Sequence, residues 1–96
     1  MPVAPLTFEI LNSTADDWES LEQIHAQVVR FWARVPPRRV AEEIMRLIRS
    51  GHFECRPAAP SDIDALLAEP AEYWFRMTDR GRARWASEGS QAAGAG

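Results

Sequence analysis

His52 and Cys55 stand three residues apart, a spacing that zinc ligands often use. His25 is the only other histidine, and Cys55 is the only cysteine. A structural zinc site takes four ligands, usually in clustered pairs. Residues three apart on a strand also face opposite sides, so this pair diverges. No metal is expected, and Cys55 reads as a small apolar residue. Asp16 and Asp17 form an acidic pair, but adjacent acids at a helix start ordinarily serve as caps. Gly51 and Gly81 are isolated, so no glycine-rich phosphate loop is visible. Nor is any nucleophile–base–orienter set. The expectation is a chain with no catalytic site and no cofactor.

The arginines remain. All eleven basic residues are Arg and none is Lys. A GC-rich coding genome accounts for such a bias; the sharper reading is selection for bidentate contacts to phosphate or guanine. Net charge is −3, unevenly placed. Residues 1–27 carry five acids and no Arg, whereas residues 28–56 carry seven Arg against three acids. Residues 57–96 carry four Arg and six acids.

The bulk numbers describe an ordinary folded domain. The chain has 96 residues, 46% hydrophobic and 26% charged, which suits one globular unit. The opening Met1-Pro2-Val3-Ala4-Pro5 does not read as a secretory signal. No apolar run approaches the ~20 residues of a membrane span, and a lone cysteine suits a reducing compartment. A cytoplasmic protein with no membrane partner is expected. The folded domain is read as residues 1–86. The Gly-, Ala- and Ser-rich residues 87–96 are read as a disordered tail.

Leu6 to Thr14 reads as a first helix, with Phe8, Leu11 and Ala15 at helical spacing. Ser20-Leu21-Glu22-Gln23 matches a capping box and starts a second, whose apolar stripe runs Leu21, Ile24, Val28, Phe31. Val35-Pro36-Pro37 interrupts it, and Pro37 suits the first turn of a third helix, about 37–50. There Val40, Ile44, Leu47 and Ile48 form the buried stripe, and Gly51 supplies a left-handed cap. Residues 52–56 and 73–78 alternate as half-buried strands that pair antiparallel. Between them lies a short helix, Asp62 to Glu69, with Ser61 as N-cap. Residues 16–19 are a candidate third strand. Thr78 caps a short last helix.

This order resembles the winged helix-turn-helix superfamily of bacterial proteins. Ser20 to Ile24 looks like the capped start of its second helix. Val40 to Ile48 followed by Arg49-Ser50-Gly51-His52-Phe53-Glu54 resembles a recognition helix entering the first wing strand. Phe75-Arg76-Met77-Thr78-Asp79-Arg80-Gly81-Arg82 is similar to the end of the wing in MarR- and PadR-like proteins. The resemblance spans residues 6–86. It implies an α+β winged helix-turn-helix fold: a three-helix core, a two- or three-stranded β-wing and a short C-terminal helix.

Such domains set the third helix in the major groove of duplex DNA. On that helix the face opposite the buried stripe holds Arg38, Glu42, Arg46 and Arg49, bordered by Met45 and Arg39. The first expectation is therefore a DNA-binding, regulator-like protein. Arg38, Arg46 and Arg49 would meet bases or backbone, Arg30, Arg34 and Arg39 phosphates, and Arg56 and Arg76 would sit on the wing strands. The alternative is a protein-interaction module on the same scaffold. Arg38–Glu42–Arg46 also reads as a charge ladder that merely solvates a helix face, with Arg39–Glu43 as a second pair. Glu42 and Glu43 would meet phosphates unfavourably, and Asp62, Asp64, Glu69 and Glu72 make the wing loop acidic. Trp18 and Trp85 read as packed side chains. Trp32 and Trp74 are candidates for an interface with a protein partner or in a homodimer.

Overall fold

The computed structural model describes residues 5–32 and 34–94, in an α+β arrangement. In chain order the elements are α1 (Pro5–Ser13), β1 (Glu19–Ser20), α2 (Leu21–Val28), α3 (Pro37–Arg49), β2 (Phe53–Arg56), α4 (Ile63–Ala68), β3 (Trp74–Met77) and α5 (Asp79–Gly94). Residues 1–4, read above for a leader, and 95–96, at the end of the expected tail, lie outside the described residues.

The first helix buries Leu11 and packs Ala15 against the core, as the spacing of Phe8, Leu11 and Ala15 implies, but its buried face is shifted toward Thr7, Ile10 and Thr14. Thr7, Ile10, Leu11 and Thr14 are buried and Phe8 is half-buried. The two threonines are satisfied locally or across the core. Thr14 Oγ1 donates to the Leu11 carbonyl, and Thr7 Oγ1 donates to the Glu43 carboxylate on α3. At α2 the capping box forms as expected: the Gln23 amide donates to Ser20 Oγ, and Gln23 Oε1 accepts from the Ser20 amide. Leu21, Ile24 and Val28 are buried, but the stripe stops there. The helix ends at Val28, and Phe31, expected to continue it, is 62% exposed. Its amide and that of Trp32 both donate to the Val28 carbonyl, which folds residues 29–32 into a tight turn and carries Phe31 off the helical face.

Pro37 opens α3 at its first turn, where a missing N–H costs nothing. Val40, Ala41, Glu43, Ile44, Met45 and Leu47 are all buried, with Ile48 half-buried. At 100° per residue they cover an arc of ~200°, twice the width of an ordinary core-facing stripe. The reason is that α3 packs against α1, α2, α4 and β2 at once. Met45, expected at the border of the exposed face, is therefore enclosed. At the C-terminus Gly51 takes φ +80, the left-handed turn expected of it.

The sheet is antiparallel in the order β1-β3-β2. Phe53 lies opposite Met77 and Cys55 opposite Phe75, so these share the inner face; Phe53, Phe75 and Met77 are buried there. Glu54, Arg56, Trp74 and Arg76 lie on the outer face. The third strand forms just after residues 16–18, at Glu19–Ser20. In the connection between β2 and β3, α4 is capped by Asp62 in place of Ser61: the Asp62 carboxylate accepts from the Ala65 amide. Only that side chain stands at the position from which an oxygen reaches the third amide of the helix. Thr78 caps α5 through a bond from the Gly81 amide, and α5 runs to Gly94, past residue 86 where composition places the end of the domain.

Gly81 lies tight against the main chain, because a Cβ there would run into the carbonyl of His52. A Cβ at Gly51 would meet only the Arg80 side chain, at an ordinary contact distance of 3.9 Å, so its positive φ is what a substitution there disturbs. Gly81→Ala is therefore expected to cost ~2 kcal/mol or more, as overpacking against an immovable neighbour does. Gly51→Ala should cost ~1–2 kcal/mol from backbone strain alone. Urea titrations of the two variants give the order.

Candidate interaction surface

The arginines expected to form one surface occupy three places. On α3 the exposed residues are Arg38, Arg39, Glu42, Arg46 and Arg49, an arc of ~100° opposite the buried one. Arg30 and Arg34 are exposed in the connection between α2 and α3. Arg56 and Arg76 stand on the outer face of the sheet, with guanidinium carbons 4.1 and 4.6 Å from the Trp18 ring centre. Arg76 also pairs with Glu54 across the strands at 2.9 Å. Trp18 thus serves as a platform for two cations, half-buried by them. Trp85 packs against the core and donates its indole N–H to Asn12 Oδ1.

The expected ladder Arg38–Glu42–Arg46 does not form. Arg38 turns to Asp64 on α4 at 3.1 Å, and Arg46 lies 3.8 Å from Glu43. Glu43 does not face outward as its place beside Glu42 implied. Its carboxylate is buried, takes the Thr7 hydroxyl at 2.8 Å, and faces Arg39 at 3.5 Å. A buried carboxylate between two arginines neutralises part of the charge that α3 presents. The short helix α4 adds more acid beside the start of α3, where Asp62 and Asp64 are exposed.

That helix is held down by Leu66, wholly buried in the core. The Glu22 amide donates to the Pro70 carbonyl, tying the end of the same connection to the first turn of α2. His25 Nε2 lies 2.8 Å from the Val35 carbonyl and tethers the α2–α3 connection from the other side. Between these ties is a recess of about 380 Å³, lined by Leu21, Glu22, His25, Pro37, Leu67 and Pro70. Its walls are chiefly apolar. On the same connection stand Phe31, 62% exposed, and Trp32, 40% exposed, between Arg30 and Arg34. Trp74, the other candidate interface residue, is 36% exposed on the sheet. No ring contact joins it to Trp32 among the described residues.

Sequence reasoning placed Phe31 in the core and missed the recess. The available signal was Pro36-Pro37, which shortens α2 and leaves Arg30-Phe31-Trp32 in a turn. The recess itself has no local signal, because its two halves are some thirty residues apart in the chain.

His52 and Cys55, three residues apart, have separate partners. Ser50 Oγ lies 2.6 Å from His52 Nδ1, and Cys55 Sγ donates to the Ala58 carbonyl at 3.3 Å. No group of three metal-ligating side chains is found among the described residues, and no described helix is long and apolar enough to cross a membrane. A polar concavity of about 640 Å³ between β3 and α5 is lined by both signs of charge, Glu54 and Asp79 against Arg76, Arg80 and Arg82. No protein-family model, curated protein or solved structure matches the chain.

Burial pushes the Cys55 thiol up to about 11. The nucleophile is the thiolate, so Cys55 should react with a disulfide reagent at pH 8 far more slowly than a free cysteine does. Burial, then the charges of Arg84 and Arg80, lowers the pKa of His52 below its ordinary value. As pH falls through ~6.5 the unfolded chain takes the proton before the folded one. The stability contributed by neutral His52 is complete above that pH and lost below it. Urea midpoints should fall from pH 7.5 to 5.5, and His52→Asn should flatten that slope. Burial, then the charge of Asp17, raises the pKa of Glu19 above its ordinary value, an effect of opposite sign on stability as pH falls.

Proposed function

We propose that this chain is a winged-helix-like module whose working surface is the corner between α2, α3 and α4, and that the surface engages protein in preference to duplex DNA. Three helices followed by a hairpin, with β1 completing a sheet ordered β1-β3-β2, are compatible with that scaffold. The scaffold by itself does not decide the partner. The observation that carries the reading is the exposure of Phe31 and Trp32 side by side in the α2–α3 turn. Burying one such side chain at an interface removes ~150–250 Å² from water, and aromatics with flanking arginines are the usual anchors of protein contacts. Catalysis forms no part of this reading. A cytoplasmic setting does, because the one cysteine suits a reducing compartment.

Duplex DNA is the second reading, favoured by the exposed Arg38, Arg39, Arg46 and Arg49 on one face of α3. Against it stand the buried Glu43 between two of them, the Arg38–Asp64 pair, and the acidic α4 where a DNA-binding wing would present cations.

Two measurements separate the readings. Fluorescence anisotropy with mixed-sequence duplex should show no binding at physiological salt. Tight binding that weakens steeply with salt and is lost in Arg38→Ala/Arg46→Ala would establish the DNA reading instead. Phe31→Ser should change folding stability by less than ~0.5 kcal/mol, as an exposed position requires. A loss of ~3 kcal/mol or more would show that Phe31 is a core residue and sink the protein-surface reading.

A further inference from the structure

We infer that the occupant of this corner is a second copy of the same chain, with the Phe31–Trp32 pair of each copy seated in the recess of the other. The inference rests on the protein-surface reading and gives it a partner.

The two halves of such a contact match in size, polarity and charge. Phe31 and Trp32 are consecutive exposed aromatic residues. The recess, about 380 Å³, is at the small end of the ~300–1,000 Å³ found for apolar binding sites, a fit for aromatic side chains. Leu21, Pro37, Leu67 and Pro70 supply its apolar walls. Arg30 and Arg34 flank the aromatic pair, whereas Glu22 is on the recess wall and Glu69 and Glu72 continue from Pro70 on the same connection, all exposed. The aromatic side is basic and the receptacle acidic, so the complementarity lies between two parts of one molecule.

Their placement permits reciprocity. The aromatic pair follows the last turn of α2, while Leu21, Glu22 and His25 of the recess belong to its first two turns. The helix has eight residues and is ~12 Å long, with Leu21 of the recess at its start and the two exposed aromatic residues beyond its end. The His25–Val35 contact folds the connection back toward the recess. A two-fold axis passing between aromatic pair and recess brings each onto its counterpart, the isologous arrangement of most homodimers.

Sedimentation equilibrium of the full chain from micromolar to millimolar concentration tests this directly. The expected result is a reversible shift from 10.8 kDa toward twice that mass. Phe31→Ser/Trp32→Ser should weaken dimerisation about 30-fold or more, the loss typical of interface anchors, with an unchanged circular dichroism spectrum. Arg30→Glu/Arg34→Glu should weaken it too, and Glu22→Arg added to that variant should restore part of the loss. A chain that stays at 10.8 kDa throughout, or a dimer indifferent to Phe31, Trp32 and the charge reversal, overturns the inference. If the chain stays monomeric while Phe31→Ser leaves stability unchanged, the inference fails and the protein-surface reading survives with a different partner. If Phe31→Ser unfolds the chain, both fail together.

Discussion

Four elements, α1, α2, α4 and β2, take their places against the wide apolar arc of α3. A helix at the edge of a small domain ordinarily buries one stripe and leaves the rest to water. Here ~200° of the helix is enclosed, by α1, α2, α4 and β2 together, with Thr7 of α1 bonded to Glu43. Burying a full-sized apolar side chain yields ~1.5–3 kcal/mol, and Val40, Ile44, Met45 and Leu47 each contribute on this scale. The consequence is a narrow exposed face. Its charges are set by what encloses it: Glu43 enters from the α1 side to meet Arg39 and Arg46, and Asp64 enters from α4 to meet Arg38.

Periodicity and capping chemistry made most of the fold legible. The Ser20–Gln23 capping box, Pro37 at the head of α3 and Gly51 at its end are local signals that formed where they were read, and the alternation of residues 73–78 gave a strand at Trp74–Met77 within those bounds. What periodicity missed has a common cause. Phe31 fits the α2 stripe by spacing, but the Pro36-Pro37 break and the turn onto the Val28 carbonyl end the helix three residues earlier. Glu43 and Met45 look like border residues on a wheel drawn around one stripe. They are buried because neighbours arrive on both flanks, which a single helix's pattern does not encode.

The candidate surface was less legible than the fold for the same reason. Arginine positions are visible in a sequence; the acids that answer them from other elements are not. Arg38 and Asp64 are twenty-six residues apart, and Arg76 and Glu54 twenty-two. Exposed pairs of this kind contribute ~0–1 kcal/mol to stability, yet they change which charges remain available to a partner. The Arg56–Trp18–Arg76 cluster shows a related effect, two cations spent on an intramolecular aromatic ring.

The tie between the Glu22 amide and the Pro70 carbonyl joins parts of the chain forty-eight residues apart. The recess beside it is therefore a composite: one wall comes from the helical half, the other from the connection that the hairpin closes. Both halves line the recess, so it exists only where α4 and the connection after it are docked on the helical half. Anything that occupies it binds the assembled molecule and not the open chain, and mass action then transfers its binding energy to the docking of α4. In thermodynamic terms the recess is a folding sensor, and its occupancy counts molecules whose two halves have come together.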